Sequence, residues 1–438
     1  MKRLLRFDFL IPLIMLIGIM QYANVAFELI MSGNISIFAV DTESLYSAGP
    51  LRYLKDLFVI LFSFGWVLLL PSLFLPLRVT LFLRAYFMWL LGVVLIGSLG
   101  FLFEYSPIFF YLSGIRWLLL LHASFGVFIL SFNFVKVQNR HPFIFKFLVI
   151  LALCNGYAVA LQFQLVSSLW GMAFGSARLT GLFGSAGVSA FFAIAVALFS
   201  SMLDGASLKG RMWLTVFSFF IALSAGSRFS MGAIFLIFMF QIWEWAESSN
   251  INLKGKIKLM IFPIFIVMIT MGYQSVNEQV DRGDALTSQL GKGGRVSNFM
   301  DALDILSNAE IGELLVGRGL GIGTNTAISQ NYAEGVDPDI YRFNKLMDNA
   351  FVTCFFQFGI LGSFLFWWGI YNIINFAKPK SSTIAKHRYI VVVVVFVTTL
   401  LLGNPLEQYF LMMSYAAALG AAYWSDQYLS NKILGVVK

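Results

Sequence analysis

Arg178 and Arg228 are the residues from which a chemistry can first be argued. Arg178 stands in Ser176-Ala-Arg-Leu-Thr-Gly-Leu-Phe-Gly184, and Arg228 in Ser224-Ala-Gly-Ser-Arg-Phe-Ser230. Each is closely flanked by sequence as apolar as a membrane helix, where an ionisable side chain is costly and tends to be functional. A guanidinium keeps its proton and matches phosphate oxygens bidentately. Glycine and serine on both sides permit close backbone approach. Together these features fit a clamp for a phosphate or diphosphate. The alternative is that each arginine snorkels to lipid headgroups.

A second set of candidates lies around Tyr273–Met347, the one long polar segment of the chain. Connections beyond about 15 residues without structure of their own are uncommon unless they have a role. Arg295, Arg318 and Arg342 in this segment are candidates to bind sugar or assist an anion site. Arg318 belongs to Val316-Gly-Arg-Gly-Leu-Gly-Ile-Gly-Thr-Asn325. That spacing is not the dinucleotide fingerprint, and no βαβ pattern flanks it. We read the glycines as a flexible turn at a helix end and Arg318 as an anion or sugar contact. Upstream, Val296, Phe299, Met300, Leu303 and Leu306 recur at helical spacing, which predicts a short amphipathic helix at a membrane surface. Downstream, Asp348 and Asn349 stand where a helix would start. Asp348 could take a proton from a hydroxyl; both residues could instead be helix caps. Glu407, in Gly403-Asn-Pro-Leu-Glu-Gln408, is a second candidate carboxylate.

Other chemistries find no support. The histidines are His122, His141 and His387, and none falls in the polar segment. There is no HExxH, GxSxG or GxxxxGK[ST] pattern. Cys154 and Cys354 both lie in apolar runs, so neither a disulfide framework nor a cysteine metal site is expected. No ligand cluster calls for a metal, and no motif calls for a cofactor. No basic run of five or more residues exists, so the net charge of +8 does not point to nucleic acid.

The elements that must position these residues are membrane helices. The chain has 438 residues, 59% of them hydrophobic and only 12% charged, against about 25% charged in a soluble protein. We expect a single all-α polytopic membrane domain over 1–438. With about 20 apolar residues needed per crossing, spans are predicted at 7–30, 54–75, 82–103, 114–135, 143–166, 184–203, 212–225, 229–246, 257–273, 349–376, 389–404 and 408–425. The pair at 212–246 could instead be one broken or hairpin-like unit. On this count every connection on one side is basic, and that side holds 19 of the 30 lysines and arginines. The positive-inside rule then puts both termini in the cytoplasm. The loop 274–347, between spans 9 and 10, falls on the opposite side.

At these residues the chain resembles the O-antigen polymerase and O-antigen ligase superfamily of membrane glycosyltransferases. The likeness covers roughly 170–380. It rests on Arg178 to Gly181 before a span, Ser227-Arg228 between two close spans, and Gly317 to Gly321 in the large loop. Asp348 to Phe351 and Gly359 to Gly362, entering the next span, complete it. The resemblance implies a GT-C-like architecture in a bacterial inner membrane. It also implies undecaprenyl-diphosphate-linked glycans as donor and acceptor, with a chain-length regulator and a flippase as partners. Ligases of this pattern carry histidine before the asparagine, where this chain has Asp348. The departure favours a Wzy-type polymerase of surface polysaccharide over a ligase that transfers polymer to lipid A core. In that reading Arg178, Arg228 and Asp348 are catalytic, while Arg295, Arg318, Arg342, Asn349 and Glu407 bind substrate. A non-enzymatic flippase or exporter would instead place ionisable residues deep within the spans.

Overall fold

Lipid offers no hydrogen bonds to a backbone, so a chain this apolar must satisfy its amides and carbonyls internally. The computed structural model does this with helices. It describes residues 7–20, 54–72, 75–103, 108–131, 141–170, 179–183, 185–203, 206–249, 308–323, 349–402 and 404–433. Among these the helices are α1 (Phe7–Met20), α2 (Leu54–Leu69), α3 (Leu77–Leu102), α4 (Ile108–Leu130), α5 (His141–Trp170) and α6 (Ala186–Ser201). They continue as α7 (Leu208–Ser224), α8 (Arg228–Ser248), α9 (Ile311–Val316), α10 (Ala350–Phe376), α11 (Thr383–Leu402) and α12 (Tyr409–Ile433). No strand occurs among the described residues.

Each expected span overlaps a helix where its residues are described; residues 21–30 of the first span and the whole of 257–273 lie outside the described residues. Among the described residues six helices are long and apolar enough to cross a membrane, namely α3, α4, α5, α8, α10 and α11. The chain is a polytopic membrane protein in architecture. Helices α6 and α7 have 16 and 17 residues, about 25 Å at 1.5 Å per residue, short of the hydrocarbon core of about 30 Å. For α6 the shortfall carries no penalty, because protein surrounds it. From Ser189 to Ser201 every residue but Phe191 is buried. Residues 212–246 form a true hairpin. A turn at Ala225–Ser227 separates α7 from α8, and the Ser227 hydroxyl caps α8 by accepting from the Ser230 amide at 3.3 Å.

Helices α6 and α12 form the centre of the bundle and pack on each other. Between Tyr409 and Asp426 only Ala416 and Ser425 of α12 are not fully buried. Helix α4 is also internal, with 78% of its apolar window buried, whereas α3 and α5 bury only 28%. Those two present their remaining faces to lipid. Close crossings depend on glycine. The Trp89 indole of α3 donates to the Leu365 carbonyl of α10 at 2.9 Å, and any side chain at Gly369 would overlap that indole.

One end of the bundle is pinned by charge. Glu244 of α8 accepts from Arg211 of α7 at 3.0 Å and from Arg388 of α11 at 3.5 Å. Nearby, the buried Asp426 of α12 accepts the amides of Lys380, Ser381 and Ser382 at 2.7, 2.8 and 2.5 Å. It thereby fixes the connection between α10 and α11. The candidate residues gather at the opposite end.

Candidate functional site

The first component of the site begins in α5. Asn155 and Gln162 are seven residues apart, so they share one helix face, and both are fully buried. The Gln162 carbonyl accepts the amides of Thr180 and Gly181 at 3.0 and 2.8 Å. Its amide donates to the Thr180 hydroxyl and the Gly181 carbonyl at 3.0 and 3.2 Å. The Asn155 carbonyl accepts the Leu182 amide at 2.9 Å. Residues 179–183, immediately after Arg178, are therefore stitched to α5. The Leu179 amide also donates to the Ser224 carbonyl at 3.0 Å, in the turn that leads to Arg228. The two arginine-bearing stretches meet through their backbones. Arg178 itself lies outside the described residues. Arg228 is the first residue of α8, and its side chain is outside the described set.

Phe183 carries this component to the next. Its ring meets that of Phe410, near the start of α12, at 5.7 Å. Just before that point, Pro405–Glu407 make one tight turn, and the Asn404 amide donates to the Glu407 carboxylate at 2.8 Å. Glu407 lines a polar cavity of about 150 Å³ together with Lys55, Asp56, Ser113, Arg116 and Tyr409. Across it Arg116 pairs with Asp56 at 2.8 Å, joining α4 to α2. Trp117 also lines this cavity, and its indole donates to the Gln357 side chain of α10 at 3.0 Å.

Gln357 leads to the glycine run, where the expectation of a flexible turn is corrected. Gly317 does end α9, but residues 317–323 then thread between α3, α4 and α10, and all of them except Arg318 are buried. The amides of Arg318 and Gly319 donate to the carbonyls of Phe356 and Gln357 at 2.8 and 3.2 Å. The Leu320 amide donates to the Gly97 carbonyl of α3 at 3.1 Å, and the side-chain amide of Gln357 donates to the Ile322 carbonyl at 2.8 Å. The backbone amides of Arg318, Gly319 and Leu320 are committed to helix carbonyls, so these three do not form an anion nest. Helix α10 makes room by breaking at Gly359, whose φ of 63° and ψ of −165° are non-helical. Polar backbone of this kind is tolerated at membrane depth where protein surrounds it.

Arg318 projects from this packed loop and pairs with Glu313 of α9 at 3.0 Å, with about a quarter of its side chain exposed. Asn349 serves as the cap that was one of its two readings. Its carbonyl accepts the amides of Phe351 and Val352 at 2.9 and 3.3 Å, and its amide donates to Leu401 of α11 at 3.3 Å. Asp348, Arg295, Arg342 and the amphipathic stretch 296–306 lie outside the described residues. Among the described residues no cluster of three or more histidine, cysteine, aspartate or glutamate side chains could hold a metal ion.

Sequence reasoning passed over Asp56 and Arg116, although a signal was present. Both are ionisable residues inside expected spans, a stronger form of the close apolar flanking that singled out Arg178. Asn155, Gln162 and Gln357 gave a weaker signal, as uncharged polar residues within apolar runs. No protein-family model matches the chain, and no curated protein or solved structure matches it either.

Proposed function

We propose that the chain is a membrane glycosyltransferase that polymerises undecaprenyl-diphosphate-linked oligosaccharide repeats into a surface polysaccharide. In this reading the chain crosses a bacterial inner membrane twelve times, with both termini cytoplasmic. The end of the bundle bearing the glycine run, Glu407 and the arginine stretches faces the outer leaflet, with the loop 274–347 above it. The observation that carries the proposal is the hydrogen bond from Leu179 to Ser224. It joins two arginine-bearing stretches that are distant in sequence, at the same end of the bundle as a cavity lined by carboxylates.

The chemistry asks little of the protein beyond charge and position. The C1–oxygen bond to the diphosphate breaks, and a hydroxyl oxygen of the acceptor's terminal sugar bonds to C1. The hydroxyl proton passes to a carboxylate, and undecaprenyl diphosphate departs. Arg178 and Arg228 hold the diphosphate and stabilise the charge that grows on it. Asp348 takes the proton, with Glu407 as the second candidate. Arg295, Arg318 and Arg342 contact sugar. Asn349 acts by fixing the start of α10 below the acceptor.

A glycan ladder from the native host tests this reading. The gene is deleted and then restored as wild type, Arg178→Ala, Arg228→Ala or Asp348→Asn, with membrane levels of each protein matched. The expected result is loss of the ladder while single repeat units still reach their final acceptor. Accumulation of lipid-linked polymer would identify a ligase instead. Failure of repeats to reach the outer leaflet would identify an exporter. A normal ladder in both arginine variants would refute the diphosphate clamp.

A further inference from the structure

Helix α5 buries one stripe, made of Ile144, Leu148, Ala152, Asn155, Val159 and Gln162. Spacings of three and four residues keep these on one face. The stripe is apolar until it reaches Asn155 and Gln162, and both of those side chains are spent on the strap 179–183. No polar atom of either is left over. The Asn155 amide donates to the Ser189 hydroxyl of α6 at 3.2 Å, and the other three groups hold the strap. A buried polar network with every member satisfied is rigid.

The strap is held along its whole main chain. From Leu179 to Leu182 four consecutive amides are taken by two helices: Ser224 of α7 takes Leu179, Gln162 takes Thr180 and Gly181, and Asn155 takes Leu182. One peptide bond separates the first of these residues from Arg178. Gly181 has a φ of 60°, and a Cβ on it would overlap the Asn155 carbonyl oxygen, so the strap is shaped to let that oxygen in. On the other side, α7 ends through Gly226, at a φ of 65°. The amides of Gly226 and Ser227 donate to the carbonyls of Leu223 and Ala222 at 3.0 and 3.2 Å, the paired closure of a helix that ends in a left-handed glycine. These two bonds do not use the Ser224 carbonyl, which takes Leu179. Arg228 follows four residues after Ser224, as the first residue of α8.

We propose that Asn155 and Gln162 are positioning residues for the diphosphate clamp. By fixing the strap they set the separation between the Arg178 and Arg228 backbones, and so the affinity for a lipid diphosphate. The inference rests on the glycosyltransferase reading. Two arginines grip one diphosphate together only at a matched spacing, and a misplacement of about 1 Å is enough to lose such an effect. Neither amide touches the ligand. Each acts through the main chain beside Arg178.

The test uses the full-length protein in lipid nanodiscs. The probe is undecaprenyl diphosphate, and undecaprenol is the control without the diphosphate. Affinities are measured at a temperature where circular dichroism shows every variant folded. Wild type should prefer the diphosphate, and Arg178→Ala should lose part of that preference while Arg228 keeps the rest. Asn155→Leu should weaken the diphosphate about tenfold and leave undecaprenol unchanged. Asn155→Ser, too short to reach Leu182, replaces it if the larger side chain prevents folding. Gln162→Glu, which keeps an oxygen where both amides donate, should stay within about threefold of wild type. In the Arg178→Ala background the Asn155 substitution should cost nothing further, because residues that act through one another are not additive. The same loss in both backgrounds, an equal loss for undecaprenol, or wild-type binding by the Asn155 variant would each overturn the positioning role. Diphosphate binding by Arg178→Ala at the wild-type level would refute the clamp itself, and that result is read before Asn155 is changed.

Discussion

At the scale of single residues, Gln162 is the most heavily committed side chain near the candidate arginines. It is fully buried and makes four hydrogen bonds, all to the segment that follows Arg178. Gln162→Leu would leave the Thr180 and Gly181 amides without partners. We expect it to cost about 3 kcal/mol, read as a fall in thermal stability. Gln162→Glu keeps an oxygen where both amides donate and loses only the NH2 donor, so it should retain more of that stability and of any activity. Equal losses in the two variants would show that volume, not hydrogen bonding, matters at this position. Arg178 and Arg228 were legible in the sequence because a charge in an apolar run is expensive and therefore informative. Gln162 was not, because an uncharged polar residue in a membrane span is common. What gives it its role is the set of partners supplied by Thr180 and Gly181, in the segment after Arg178.

At the scale of elements, the glycine run and α10 form one device. Gly359 reverses the helical backbone so that residues 317–323 can lie against α10, and the two segments touch through Gly317 and Gly359 themselves. A Cβ at Gly359 would fall 2.5 Å from the Gly317 nitrogen, and its φ of 63° disfavours any side chain. Gly359→Ala should therefore displace the whole run, and faster amide exchange at Arg318, Gly319 and Leu320 would report it. Unchanged exchange there would mean that α10 tolerates the side chain and that the break is not required. The sequence pattern alone could not separate a packed loop from a flexible turn, since both need glycine. The difference lies in Gly97, Gly100 and Gly114 on α3 and α4, whose small size opens the channel the run occupies. Only their juxtaposition in space reveals it.

At the scale of the whole molecule, periodicity and charge made the helices legible, down to the separation of α7 from α8. The layering was hidden, because α6, α12 and the lipid-facing α3 are all apolar. Burial separates them only once the bundle has formed. The end opposite the candidate site is fixed by Glu244, which pairs two buried arginines from two other helices. Glu244→Gln would remove the countercharge that Arg211 and Arg388 share, and breaking a buried ion pair costs about 3–5 kcal/mol. We expect a marked fall in melting temperature from this substitution, with slow exchange of the Thr180 and Gly181 amides at the far end retained below the new transition. Loss of that protection at temperatures where the variant is still folded would mean that the two ends are coupled.

The central claim is that the gathered end of the bundle makes glycosidic bonds from a lipid diphosphate. The most direct measurement reconstitutes the purified protein in liposomes with the host's own undecaprenyl-diphosphate-linked repeat unit. Polymer and released undecaprenyl diphosphate are then quantified together. The account predicts that both appear in step with wild type and that neither appears with Arg228→Ala. Polymer that still forms with Arg228→Ala would contradict the clamp. Movement of the intact lipid-linked repeat across the bilayer, with no new bond and no released diphosphate, would contradict the enzyme altogether.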